Sequence, residues 1–175
     1  MLRGTTVYLR ALEADDLPFL YDLENDASVW GLASDTLTPI SHYSLQRYLD
    51  SAAADFYEVR QLRLVVCRRT DEVAVGTVDL FQFEPHHRRA AVGIMVRQAE
   101  RRRGYAAEAL KLTQQYARRT LHLHQLYCTV AASNQPSIRL FRGAGFRRVG
   151  LRRQWLSTEA GWEDAVELQC VFTGQ

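Results

Sequence analysis

The sequence predicts an α/β (α+β) domain, a mixed central sheet with helices on both faces. Three observations carry that reading. Strand-like runs come first as a close succession and then alternate with amphipathic helices, the order of an antiparallel meander followed by β-α-β crossovers. A hydrophobic content of 47% over 175 residues supplies one continuous core. No internal repeat, low-complexity tract or Pro/Gly-rich linker divides the chain, so residues 1–175 are expected to form a single domain.

Taken in order, TVYLRAL (6–12) alternates like a strand, and Asp15 and Asp16 offer an N-cap to a helix in DLPFLYDLEN, with Pro18 tolerated in its first turn. ISHYSLQRYLDSA (40–52) spaces Ile40, Tyr43, Leu45, Tyr48 and Leu49 close to a helical period. LRLVVCR (62–68) and VAVGTVDLFQF (73–83) read as strands joined at Asp71-Glu72, and EPHH (84–87) turns the chain into a third strand, RRAAVGIMV (88–96). Gly104 opens the clearest helix, with Ala106, Ala109, Leu110, Thr113, Tyr116 and Ala117 on one face. LYCTVAA (126–132) is a strand. SNQPSIRLFRGAGF then places Ser133 or Asn134 as N-cap, Pro136 in the first turn and Gly143/Gly145 as the stop. FRRVGLRRQWL (146–156) and WEDAVELQCVF (162–172) close the chain as two alternating runs.

Bulk properties exclude several function classes. No apolar run approaches the roughly 18 residues of a membrane span, and the N-terminus lacks the apolar stretch of a secretory signal, so no membrane partner and a cytoplasmic location are expected. Cys67, Cys128 and Cys170 are widely separated and sit in strand-like runs, the setting of buried free thiols. His42, His86, His87, His122 and His124 show no ligand spacing, and no metal is expected. Aromatic residues are not interleaved with the arginine cluster, and the net charge is only +2, which speaks against nucleic acid. That small net charge conceals a split: residues 1–59 hold three arginines against ten acids, while the remainder holds 19 basic and ten acidic residues. Opposite signs within one domain suit a site that meets an anion on one side and a cation on the other.

Two stretches carry chemistry. Gly93 interrupts the third strand of the meander, where glycine marks a bulge or a close backbone approach; the alternative is a packing glycine. Just beyond it, Arg101-Arg102-Arg103-Gly104-Tyr105-Ala106 runs into a helix N-terminus, whose orphan N–H groups and positive dipole end suit a phosphate. The segment lacks the GK[ST] of a P-loop and the GxGxxG of a dinucleotide fold.

Strand, R-x-x-G-x-A, helix, strand, then Asn134, Ser137, Phe141, Gly145 and Phe146 in the pattern N-x-x-S-x-x-x-F-x-x-x-G-F resemble the GNAT N-acetyltransferase superfamily over nearly the whole chain. Within it, LRALEADDLPFLYDLENDASVW, HHRRAAVGIMV and the final W-E-D are most similar to the spermidine/spermine branch and its ribosomal-protein N-acetyltransferase cousins. The resemblance implies a mostly antiparallel sheet with a splayed, bulged strand, and acetyl-CoA as cosubstrate. Backbone of Ile94, Met95 and Val96 would pair with pantetheine, the loop from Arg101 to Ala106 would hold pyrophosphate, and Asn134 and Ser137 would contact the pantetheine end. It also implies a homodimer or larger homo-oligomer.

Three departures from the family pattern stand out. Arg102 replaces the first glycine of the phosphate loop. Phe141 replaces the usual tyrosine acid and has no proton to give. Ala91 stands where many relatives carry a glutamate base. A thiol of pKa near 8.5 leaves tolerably without help, whereas an aliphatic amine of pKa about 10 must first lose a proton. Asp79 is the candidate base or amine anchor: if Phe83 lies opposite Arg88, Asp79 lies opposite Val92. The alternative is an outward-facing or Arg-paired aspartate. Asp26, Asp35 and Glu58, with Trp30 and Tyr57 offering cation–π faces, are the candidate lining for a cationic acceptor. The expected activity is acetylation of a small polyamine-like amine by direct attack. Acetylation of a protein N-terminus, and a non-catalytic acyl-CoA-binding module, are the alternatives.

Overall fold

Alternating apolar residues in eight strands and apolar stripes on the helices assemble into one sheet covered on both faces. The structure is a computed structural model, which describes residues 2–26, 38–51 and 55–173. The elements are β1 (Leu2–Arg3), β2 (Val7–Ala11), α1 (Leu17–Glu24), α2 (His42–Ser51), α3 (Phe56–Val59), β3 (Leu62–Arg68), β4 (Ala74–Glu84), β5 (Arg89–Val96), α4 (Tyr105–Arg119), β6 (Gln125–Ala131), α5 (Gln135–Gly143), β7 (Arg147–Thr158) and β8 (Gly161–Val171). Short 3₁₀ turns at Ala14–Asp16 and Gln98–Glu100 precede α1 and α4. The expected elements are all present. β1, α3 and the 3₁₀ turns are additions too short to show a periodicity.

The strand order is β1-β2-β3-β4-β5-β6-β8-β7, antiparallel at every junction except β5–β6. One face packs Leu80, Val92, Leu126 and Leu168 against Leu110 and Ala117 of α4 and Phe141 of α5. The other packs Val65, Cys67 and Met95 under Leu20 and Leu23 of α1 and Leu45 of α2. Because successive side chains along a strand point to opposite faces, odd-numbered residues of β5 look toward α1 and α2 and even-numbered ones toward α4.

The parallel junction is short. Arg89, Ala90 and Ala91 pair with Gln125, Leu126 and Tyr127, and there the ladder stops. From Val92 onward β5 and β6 part, leaving the β6-facing edge of 92–96 without a strand partner among the described residues. This divergence, and not a bulge at Gly93, frees the backbone that the sequence reading attributed to that glycine. Pairing runs regularly through Gly93. A Cβ there would meet only Phe81 Cε1 at 3.5 Å, an ordinary contact.

The bulge lies on β4. Phe81 pairs with Ala91 and Glu84 with Arg89, so Gln82 and Phe83 together oppose Ala90. Strict alternation would send Gln82 into the core and Phe83 out. The extra residue, with Gln82 at φ 49, reverses this. Phe83 turns inward, 2% exposed, and stacks on Phe56 at 4.4 Å, while Gln82 Oε1 accepts from the Tyr127 hydroxyl at 3.0 Å. One consequence corrects the expected register: Asp79 faces Gly93 and not Val92. A close approach does exist, at Gly76, where a Cβ would fall 2.2 Å from the Met95 carbonyl oxygen.

Candidate active site

The mouth of the divergence holds a cavity of about 520 Å³. Ile94, Met95 and Val96 form one wall, Asn134, Pro136, Ser137 and Leu140 of α5 and its approach form another, and Arg101, Arg102, Gly104, Tyr105, Ala106 and Ala107 close the end. Every cofactor-binding residue expected from the sequence lines this cavity except Arg103. The exposed Arg103 side chain turns back instead, donating to the Ala99 carbonyl at 3.4 Å with Glu100 at 3.5 Å.

The end wall offers backbone groups of the kind that suit an anion. Gly104 is the N-cap of α4 with φ 83, a conformation that costs an L-residue roughly 1–2 kcal/mol. No side chain caps this helix, so its first-turn N–H groups remain free for a ligand at the positive end of the dipole. Arg102 also adopts a left-handed backbone, φ 64, so the chain makes with arginine the turn that a glycine would make freely. Arg101 does not simply project: its Nε donates to the Val96 carbonyl at 3.0 Å and ties the loop to the end of β5. Glu100 sits among these cations and is held by Arg68 Nη1 at 2.9 Å.

A second carboxylate fixes the helix itself. Glu108, in the first turn of α4, accepts from the backbone N–H of Thr5, Thr6 (2.8 Å) and Val7 (3.1 Å) and from the Thr6 hydroxyl. These donors hold its pKa down at about 2 against the cost of partial burial. Gly4 is needed beside it, since a Cβ would lie 2.6 Å from Glu108 Oε1. Nothing in the sequence marks this clamp, because a glutamate on the polar side of an amphipathic helix looks solvated.

On α5, Asn134 acts as the expected N-cap, its Oδ1 accepting from Ser137 N at 3.2 Å. Phe141 lies one turn further along but does not line the cavity. It is 4% exposed and packs edge-on against Phe146 with centroids 5.1 Å apart. Ala91 is buried at the last rung of the β5–β6 pairing.

Across β5, on the α1/α2 face, Asp79 sits in an ion cluster. Arg63 is its cross-strand neighbour and grips both oxygens, Nε to Oδ1 at 2.7 Å and Nη2 to Oδ2 at 3.2 Å. Arg63 Nη1 also reaches Glu24 Oε1 on α1 at 2.5 Å, and the Tyr48 ring of α2 lies 5.3 Å from the guanidinium carbon. Burial pushes the Asp79 carboxyl above the usual aspartate range, with Arg63 pulling the other way. Asp79 is thus the Arg-paired aspartate that the sequence left open. Arg63, Glu24 and Tyr48 had no signal of their own: only the register of β3 on β4 and the docking of α1 and α2 bring them together.

The other acceptor candidates are Asp26, Trp30, Asp35, Tyr57 and Glu58. Trp30 and Asp35 lie outside the described residues. Asp26 follows the end of α1 and is half-buried. Glu58 and Tyr57 are exposed on α3, which docks through Phe56 and Tyr57 onto Phe83 on the α4 side of the sheet. All three cysteines are free, and burial pushes the Cys128 thiol up to about 12, far from nucleophilic use. Among the described residues no group of His, Cys, Asp and Glu is arranged to hold a metal, and no helix is long and apolar enough to cross a membrane.

Comparison with known proteins accords with this geometry. The family model for the acetyltransferase (GNAT) domain matches residues 6–147. The probable N-acetyltransferase YjcK of Bacillus subtilis is 29% identical over 182 residues, covering 94% of this chain and 93% of its own. The spermidine N(1)-acetyltransferase of Escherichia coli K12 is 27% identical over 170 residues, covering 97% and 88%. The fold superposes on the spermidine N-acetyltransferase of Vibrio cholerae, solved with CoA and spermine, with a TM-score of 0.85 at 22% identity and 96% coverage of each chain. A backbone anion seat beside a parted strand pair, within a matched domain of this extent, places the chain in the GNAT acetyltransferase family, as an N-acetyltransferase.

Proposed function

We propose that the chain transfers acetyl from acetyl-CoA to a small polyamine-like amine, with spermidine as the leading acceptor. The observation that supports this most is the pairing of two unlike sides of β5: an uncapped helix N-terminus at Gly104 for phosphate, and on the opposite face the buried carboxylate of Asp79, which keeps acceptor capacity beside its Arg63 partner. The curated spermidine acetyltransferase among its relatives supports the same acceptor class.

In this reading the free edge of 92–96 offers N–H and C=O groups to the pantetheine arm, an amide among Ile94, Met95 and Val96 polarises the thioester carbonyl, and the loop 101–106 holds the pyrophosphate. Acetyl-CoA supplies the activated acyl group. A neutral amine attacks the carbonyl carbon, the N–C bond forms and the C–S bond breaks, and CoA departs as thiolate. The buried Phe141 has no proton for it, and none is required of a leaving group with pKa near 8.5. Asp79 anchors the incoming amine or takes its proton. A carboxylate has about four acceptor positions, so the Arg63 fork leaves capacity, and burial makes Asp79 a better base than an exposed aspartate.

We include a homo-oligomer in the proposal. β7 is the edge strand, and it leaves Val149 60%, Leu151 40% and Trp155 53% exposed, apolar surface that a second copy would cover. A thiol-release assay with acetyl-CoA against spermidine, putrescine, n-butylamine and basic peptides tests the acceptor. Turnover with spermidine and not with peptides is the expected result, and turnover with peptides alone would overturn the polyamine reading.

A further inference from the structure

We propose that Arg63 is a specificity-determining residue: its guanidinium fills a cation cage beside the cofactor strand from within the chain, and so denies that cage to an ammonium of the acceptor. The inference rests on the amine-acceptor reading above and goes beyond it by assigning a role to a residue that touches neither reacting group.

The cage has three sides. Glu24 from α1 and Asp79 from β4 supply carboxylates at 2.5 and 2.7 Å from the guanidinium, and Tyr48 from α2 supplies an aromatic ring at 5.3 Å. Two anions and a π face are the groups that hold an alkylammonium, and here they hold a side chain instead. The cluster is nearly but not wholly enclosed, with side-chain exposures of 15% for Arg63, 15% for Asp79 and 9% for Glu24. Its position fits the role. Asp79 faces Gly93, which has no side chain to screen it, and Met95, the next β5 residue on that same face, is cavity wall. An ammonium in this cage would belong to the same acceptor whose other nitrogen meets the thioester. With Arg63 in place, the second charge of a short diamine finds the cage taken.

Deleting the guanidinium reverses the situation. Arg63→Ala removes the guanidinium from Asp79 and Glu24, and a diamine brings a cation to that place while a monoamine of the same length does not. A charge-assisted contact of this kind is worth roughly ten- to a hundredfold in affinity. The experiment measures kcat/KM for putrescine and for n-butylamine in the wild type, Arg63→Ala and Arg63→Lys. The putrescine-to-butylamine ratio is expected to rise about tenfold or more in Arg63→Ala, to stay near the wild-type value in Arg63→Lys, and the KM for acetyl-CoA to stay within about twofold. A folded Arg63→Ala protein with an unchanged ratio overturns the proposal. If that variant is insoluble, Arg63→Gln, which keeps N–H donors for the carboxylates without the charge, decides in the same way. The cage is also readable without turnover: putrescine alone should raise the melting temperature of the variant and not of the wild type. That measurement separates failure of the cage from failure of the acceptor class, since wild type that acetylates no small amine sinks only the latter.

Discussion

The two sides of β5 are built from different materials. Toward α4, the proposed cofactor seat is backbone: the free edge of a strand that has lost its neighbour, an uncapped helix N-terminus, and left-handed residues at Arg102 and Gly104. Toward α1 and α2, the proposed acceptor side is side chain: a guanidinium, two carboxylates and a ring contributed by four separate elements. A seat made of backbone tolerates wide changes of sequence and is damaged mainly where conformation is special. A cluster of buried charges fails when any member is removed, because the partner left behind is uncompensated.

The largest effect should therefore come from the charge cluster. Arg63→Met removes the guanidinium that Asp79 and Glu24 share, and should lower unfolding stability by about 3 kcal/mol, the lower end for breaking a buried pair. Urea denaturation at pH 7 measures it. A loss below about 1 kcal/mol would show the cluster to be as solvated as a surface pair and erase the contrast between the two sides.

Next is Glu108, whose side chain anchors the first turn of α4 to the β1–β2 hairpin. Glu108→Ala strips the hairpin residues Thr5, Thr6 and Val7 of their acceptor and should cost about 2 kcal/mol, discounted for partial exposure. Its pH dependence is specific. The folded pKa of about 2 lies below the ordinary 4.5, so the stabilisation is fully present above about pH 4.5 and is lost as pH falls toward 2. Wild type and Glu108→Ala should thus converge in stability across that window. Parallel curves would mean that the carboxylate contributes nothing as a charge.

The same division explains what the sequence disclosed. The helix start at Gly104 and the cap at Asn134 are local, each encoded within a few adjacent residues, and a local pattern is readable without knowing the fold; the wall at 94–96, freed by the parting of β5 from β6, was expected only through the family resemblance. The bulge at Gln82 is not local in this sense. It depends on whether Phe83 or Gln82 reaches the core, which is settled by Phe56 arriving from α3, and missing it displaced Asp79 by one rung. Arg63 lies 16 residues from Asp79 and 39 from Glu24, so its role exists only once strands and helices are docked. Tyr57 and Glu58 depend on docking in the same way. Their acidic and aromatic character suited the acceptor side, but Phe56 draws α3 to the other face.

Smaller effects test the backbone seat directly. Gly104→Ala meets no protein atom within 4 Å, so it introduces no clash. It brings the left-handed strain of about 1–2 kcal/mol at φ 83 and a methyl group at the seat itself. The KM for acetyl-CoA should rise about tenfold while kcat at saturation holds, as expected for loss of uniform binding. A fall in kcat with KM unchanged would move Gly104 from binding to the chemical step.

The smallest expected change is the one that separates backbone from side chain most cleanly. Arg102 holds φ 64 with its side chain in solvent, so Arg102→Gly keeps the loop conformation, relieves the strain of a left-handed L-residue and removes a charge from the seat. The folded state gains from the relief, the unfolded state gains entropy from glycine, and the net change in stability should stay within about 1 kcal/mol. If the N–H groups of the loop carry the phosphates, the KM for acetyl-CoA moves less than about threefold and its salt dependence is unaltered. If the guanidinium carries them, KM rises about tenfold and its dependence on salt weakens, because one screened ion pair has been taken away. The second outcome would make the cofactor side, like the acceptor side, a site of charged side chains.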